Sequence, residues 1–128
     1  MAAKTDYAIN GMVAGVKRDW SLLEVRDGLS QTILCGEKRL SGSKPSSGGD
    51  EQTLYMGHDD DIARSATGGL FQDSAASQSS GLGFGSTHPS AGNFAFFDSS
   101  IHAISYKIDV VVFQGLGTPT GGEVVDYP

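Results

Sequence analysis

The chain has 128 residues, a length that fills one ordinary domain with a single core, and residues 1–128 are therefore read as one globular domain. Its formal charge is −6, with nine Lys and Arg scattered along the sequence, which argues against a nucleic-acid partner because phosphate backbones need clustered cations. Cys35 is the single cysteine, so neither an intramolecular disulfide nor a metal–cysteine cluster is available and packing must hold the fold.

The first twenty residues carry Lys4, Asp6, Lys17, Arg18 and Asp19, and no apolar run approaches the length that crosses a bilayer. The chain thus reads as soluble, without a signal peptide or membrane span. Residues 6 to 20 mix Gly11, Gly15 and small residues with Val13 and Val16, and the expectation there is a weak strand. Ser21 followed by Glu24 has capping-box spacing and predicts a short helical turn, broken by Asp27-Gly28.

From Ser30 to Arg39 the Thr-Ile-Leu-Cys run predicts a buried strand, with Gly36 to Arg39 carrying it to the surface. In that setting Cys35 reads as a small buried hydrophobe and not as a nucleophile. Ser41 to Asp50 is too polar to offset its ordering entropy and reads as a mobile loop. The Ser41-x-x-Lys44 spacing within it lacks the rigid helix that serine acylation chemistry requires.

Thr53 to Met56 is a short apolar strand candidate, and it leads into Asp59-Asp60-Asp61. Adjacent carboxylates repel unless they are solvated or share a cation, and Ca²⁺ favours such oxygen ligands on a flexible loop. Two readings stay open: a solvated acidic loop with Arg64 as partner, or a Ca²⁺ site formed by Asp59, Asp60 and Asp61. Gly68 to Phe71 predicts another short strand. The Gly/Ser-rich stretch from Ser74 to Ser86 reads as a loop lying flat, anchored by Leu82 and Phe84.

The segment from His88 to Gly117 holds the densest apolar runs. Phe94 to Phe97 is a strand, Asp98-Ser99-Ser100 is turn chemistry, and Ile104, Tyr106 and Ile108 recur at period two. The prediction is a β-hairpin over 92 to 108 at the core of the sheet, with Phe94, Phe96, Ile104 and Tyr106 buried. His88, extended by Pro89, is the candidate catalytic residue; it either meets a carboxylate or metal from another loop or simply bonds neighbouring backbone. His102 reads as a packing or surface residue. Asp109 has the chemistry to cap a short helix running through Gln114, although Val110 to Phe113 favours a strand on propensity alone. The tail from Thr118 reads as surface, with Val124 and Val125 packing back. Short strands, turn punctuation and at most two short helices define an α+β class, a small antiparallel-sheet domain.

The spacing of His88, nine residues and Asp98, framed by Gly92-Asn93-Phe94-Ala95-Phe96 and Ile104-Ser105-Tyr106, resembles a planctomycete-type family of prepilin-like proteins with an H-X9-DG domain, DUF1559. Further matching stretches are Thr5 to Gly11, Arg26 to Lys38, Tyr55-x-Gly57 with Asp59 to Asp61 and Arg64, and Gly122 to Val125. Ser99 stands where the family has Gly, and Val110 where its members usually carry Pro. The resemblance implies a pilin or pseudopilin head without its N-terminal hydrophobic helix. Its partners would be other pilin-like subunits or a secretion apparatus, at the periplasmic face of the cell envelope or outside the cell.

Three functions follow as expectations. One is that structural head. Another is a calcium-binding recognition module built on Asp59 to Asp61. The third is a calcium-dependent hydrolase of small esters or lactones, such as acyl lactones, with His88 or an Asp as base; no GxSxG or paired catalytic spacing accompanies it.

Overall fold

In the computed structural model, the residues described are 4–14, 20–40, 53, 55, 57, 59, 61–73 and 83–122. Among these residues six strands and one α-helix follow in chain order: β1 (Tyr7–Asn10), β2 (Ile33–Glu37), β3 (Ala63–Gln72), β4 (Gly83–Ser86), β5 (Ala91–Phe96), β6 (Ile101–Ser105) and α1 (Val110–Leu116). The strands form one sheet in the order β4-β3-β1-β2-β5-β6.

The α+β class stands, but the sheet is mixed and not antiparallel. β1 pairs with β3, and β3 with β4, in parallel. The connection 73–82 is long enough to bring the chain back in its original direction between β3 and β4, which a tight turn cannot do, while 38–62 carries the chain past β1 to its far side. The predicted hairpin forms, with a register that sets Ala91 opposite Ser105 and Ala95 opposite Ile101. It lies at the sheet edge, however, while β1 and β2 take the centre. Just past β2, Lys38 bridges Phe84 and the Arg39 amide donates to the Gly83 carbonyl at 3.2 Å. The β4 side of the sheet therefore curls back onto β2, and β6 is last in the strand order at the other side.

The core fills the concave side of that curl. Phe84, Phe94 and Phe113 pack edge to face, with ring centroids 5.4, 6.4 and 5.6 Å apart. Such pairs add to the burial of three large side chains. Gly36 is required here, because a Cβ on it would collide with the Phe94 ring. Ile33, Phe96, Ile104 and Leu116 complete the cluster, with Tyr106 and Ile108 packed partly against it.

Tertiary context overrides the β-branched run of α1. The Asp109 carboxylate accepts from the Val111 and Val112 amides at 2.8 and 3.4 Å, and Phe113 and Leu116, three apart, bury together while Val110 and Val111 stay exposed. Asn10, fully buried, fixes the helix end to the sheet: its Nδ2 donates to the Ile33 carbonyl at 2.9 Å and the Gly117 carbonyl at 2.8 Å. The predicted capping box is present at a 3-10 turn, Leu22–Glu24.

Other expectations need correction. Among the described residues of 6 to 20, Tyr7–Asn10 is the strand, because Gly11 to Val13 turns the chain. Of the predicted strand at 53 to 56, the described residues are Thr53, which makes an isolated bridge with Lys4, and Tyr55, which is 92% exposed and helical, not extended. Phe84 sits in a strand and not a loop, since the curl gives it partners on both sides. Gly68 to Phe71 falls inside the longer β3, with a break in register between Ser65 and Leu70. The expectations for Ser41 to Asp50, for Leu82, and for Val124 and Val125 fall outside the described residues. Among those described, no helix is long and apolar enough to cross a membrane. Phe94→Ala, which removes the ring shared by both other aromatics and Gly36, should cost about 3–5 kcal/mol in a denaturant melt.

Candidate functional site

β5 begins after a turn at 87–90 and ends at the Asp98 turn, so the His88 and Asp98 ends of the motif lie at opposite ends of one extended strand. Each is a separate fastening point. At the first, the His88 amide donates to Ser86 Oγ at 3.2 Å. Tyr106, just past β6, shares its hydroxyl proton between the Ser86 and His88 carbonyls, both at 3.0 Å. The phenol's pKa is raised, chiefly by burial and further by the Asp73 and Glu37 carboxylates, despite the opposing bond to Ser86.

Across from this turn, Glu37 ends β2. Its Oε2 accepts from the Asn93 amide at 2.7 Å and from Asn93 Nδ2 at 3.3 Å, while Oε1 lies 3.2 Å from His88 Nε2. His88 thus does meet a carboxylate from another element, but that carboxylate is already committed to β5. The side-chain exposures are unequal, 56% for His88 and 12% for Glu37. Along the sequence Gly36 to Arg39 looks like an exit to the surface, and no local signal marks Glu37, Asn93 or Tyr106 as site residues. Only pairing across strands reveals their convergence. Asp73 joins the same end of the sheet: its Oδ1 accepts from the Leu40 amide at 2.9 Å, and its amide donates to the Ser86 carbonyl. Its pKa is raised, first by burial, against the lowering effect of the Leu40 bond and Arg39.

The second fastening point is the Asp98 turn. Asp98 Oδ1 accepts from the Ser100 hydroxyl at 2.6 Å and the Ser100 amide at 2.9 Å. Those two bonds, the hydroxyl first, hold its pKa below the ordinary carboxylate value. Ser99 takes φ 70°, the left-handed geometry in which a side chain costs about 1–2 kcal/mol relative to Gly. His102 lies edge-on to Phe96, with centroids 4.9 Å apart and Nε2 3.0 Å from Ser100 Oγ, which makes it the packing residue expected.

The acidic run lies elsewhere. Asp59 Oδ1 accepts from the Asp61 amide at 2.9 Å, and Asp61 is 2% exposed, with Lys38 Nζ donating to its carbonyl at 3.3 Å. Lys38 and Arg64 are buried to a similar degree, at 1% and 2%. Glu37 and Lys38 are consecutive in extended chain and so face opposite ways. The structure therefore separates His88 from Asp61 across the end of β2. Asp60 lies outside the described residues. Among those described, no three His, Cys, Asp or Glu side chains converge to hold a metal ion.

One further surface stands out. Residues opposite one another in a ladder share a face, and the register aligns Ala63, Ile9, Cys35, Ala95 and Ile101 in one row across five strands. This outer face is opposite the one covered by α1, yet it is apolar throughout the row. Ile9 is 37% and Ile101 69% exposed, and burial raises the Cys35 thiol pKa against a weaker bond from Ala95.

A curled mixed sheet with one covering helix, a latched His and an open apolar row define a small α+β domain with two polar fasteners. The family model described as a protein of unknown function (DUF1559) matches residues 2–111, and the chain belongs to that family. No curated protein and no solved structure matches the chain.

Glu37→Ala leaves the Asn93 amide without its acceptor and should cost about 1–3 kcal/mol, whereas His88→Ala, losing one exposed contact, should cost under about 1 kcal/mol; thermal melts of both compare them directly. Asp98's lowered pKa means its stabilisation is present above the unfolded value and is lost as pH falls through the folded value. Ser100→Ala removes the largest cause, so an NMR titration should find the Asp98 midpoint moved up toward the ordinary carboxylate range.

Proposed function

We propose that the domain is an assembly module, the globular head of a minor pilin or pseudopilin-like protein in a filament or type II secretion-like apparatus at the cell envelope. The observation that carries this reading is the apolar row on the outer sheet face. A sheet with one face solvated normally alternates apolar inside with polar outside, and here five successive strands present Ala, Ile, Cys, Ala and Ile outward. Large contiguous apolar patches on soluble domains mark interaction sites. DUF1559 membership is in keeping with this, because the same motifs are the ones that resemble prepilin-like heads.

Calcium-dependent hydrolysis of small esters or lactones is the second reading, favoured by one observation: a half-exposed imidazole 3.2 Å from a carboxylate. Against it, Glu37 is occupied by Asn93, and Asp61 is buried on the far side of β2. Calcium at Asp59 to Asp61 would be carried by the loop independently of His88.

The two readings separate experimentally. Ile9→Lys with Ala95→Lys should leave the isolated domain folded and remove the protein from the sheared filament or pseudopilus fraction. The same purified domain should give no turnover of chromogenic esters or acyl lactones with or without Ca²⁺. Turnover abolished by chelator, and lost in folded His88→Ala or in the triple Asn variant of Asp59, Asp60 and Asp61, would replace the assembly reading with the hydrolytic one.

A further inference from the structure

We propose that a cleft between β3 and β4 is a binding site for a neutral saccharide, whose sugar ring rests on Phe71 while its hydroxyls bond Ser65 and Thr67. The inference is independent of the assembly reading, since none of these residues belongs to the apolar row.

The cleft comes from the break in register. Ser65 pairs with Gly83 and Leu70 with Phe84, so residues 66–69 of β3 oppose no residue of β4. That excursion leaves a cleft of about 320 Å³, at the small end of the range for ligand sites. It is held in place from α1, where Gln114 Nε2 donates to the Thr67 carbonyl at 2.7 Å, so little ordering is left for a ligand to impose.

Gly68, Gly69 and Gly83 line the cleft. Glycine inside a strand marks a bulge or a place where a ligand comes close to the backbone. Gly69 is required for a φ of 84°, which a side chain would strain. Gly68 is different: its φ is not left-handed, and a Cβ on it would meet no described atom within 4 Å. Neither backbone strain nor packing among the described residues accounts for it, whereas a ligand lying against bare backbone does.

The side chains supply what a sugar recognises. Phe71 is 49% exposed, and the Arg39 guanidinium carbon, 5.1 Å from the ring centroid, steadies the ring. The negative face of an aromatic ring attracts the weakly positive C–H groups of a pyranose. Ser65 Oγ and Thr67 Oγ1 lie 2.9 Å apart. Whichever donates to the other, among the described contacts the second hydroxyl keeps its proton and acceptor lone pairs remain, which suits sugar hydroxyls that both donate and accept. An anion fits less well, because the chain carries −6 and the Arg39 charge already acts on the Asp73 carboxylate.

Titration of the isotope-labelled whole chain with cellobiose, followed by NMR, should shift the amides of Gly68, Gly69, Phe71 and Gly83 saturably, with a dissociation constant on the order of 1–10 mM. This readout needs no variant to fold. Phe71→Ala should keep the melting temperature within a few degrees and weaken binding about tenfold or more. Gly68→Leu has room for its new side chain, so it should fill the cleft and abolish the shifts without loss of stability. Inorganic phosphate at equal concentration should leave those amides in place. The absence of saturable shifts up to about 100 mM cellobiose, equal affinity in a folded Phe71→Ala, or phosphate shifting the same amides at lower concentration than cellobiose would each overturn the proposal.

Discussion

The side-chain amide of Asn10 ties three parts of the domain together. Buried at the end of β1, it donates to the carbonyls of Ile33 in β2 and Gly117 after α1, and its own oxygen accepts from the Met12 amide at 3.1 Å. A buried amide stripped of such partners is costly, so the network permits one placement of the helix. α1 is held on the concave side, with Phe113 among the aromatic rings, and that placement decides which sheet face is covered. The outer row from Ala63 to Ile101 lies on the other face.

The hairpin was legible in the sequence because its signals are local: a β-favouring run, turn residues and an alternation that names Phe94, Phe96 and Ile104 as buried. The Ser21 box and the Asp109 cap were legible for the same reason, being contacts within three residues. What escaped is long-range. Two parallel pairings depend on where connections of many residues return, and nothing in the segments themselves encodes that. Glu37 is the clearest case at the site. Its strand exit looks like solvent-exposed Gly-Glu-Lys, yet both charged residues are buried, one against Asn93 and His88 and the other beside the Asp61 carbonyl.

The family's His and Asp acquire a physical sense from this arrangement. β5 lies between β2 and the edge strand, its register set by its buried face and reinforced by contacts at both ends. His88 and Glu37 secure one end, together with Tyr106; Asp98 secures the other through Ser100, strongly enough to hold Ser99 in a geometry that prefers Gly. Neither pin requires the other, which accounts for a fixed spacing without a shared site. The His and the acidic run are equally separate, since Glu37 at the end of β2 and Lys38 just past it face opposite sides.

If the outer face is a docking surface, its centre becomes buried on assembly. Cys35 lies at that centre, third of five in the row, and it is the only cysteine in the chain. Maleimide labelling therefore reports on this one position without engineering. The account predicts that Cys35 of the isolated domain labels steadily, while the protein in its native assembled fraction labels at least about tenfold more slowly, as desolvation of a contact surface requires. Equal labelling rates in the two preparations would contradict it.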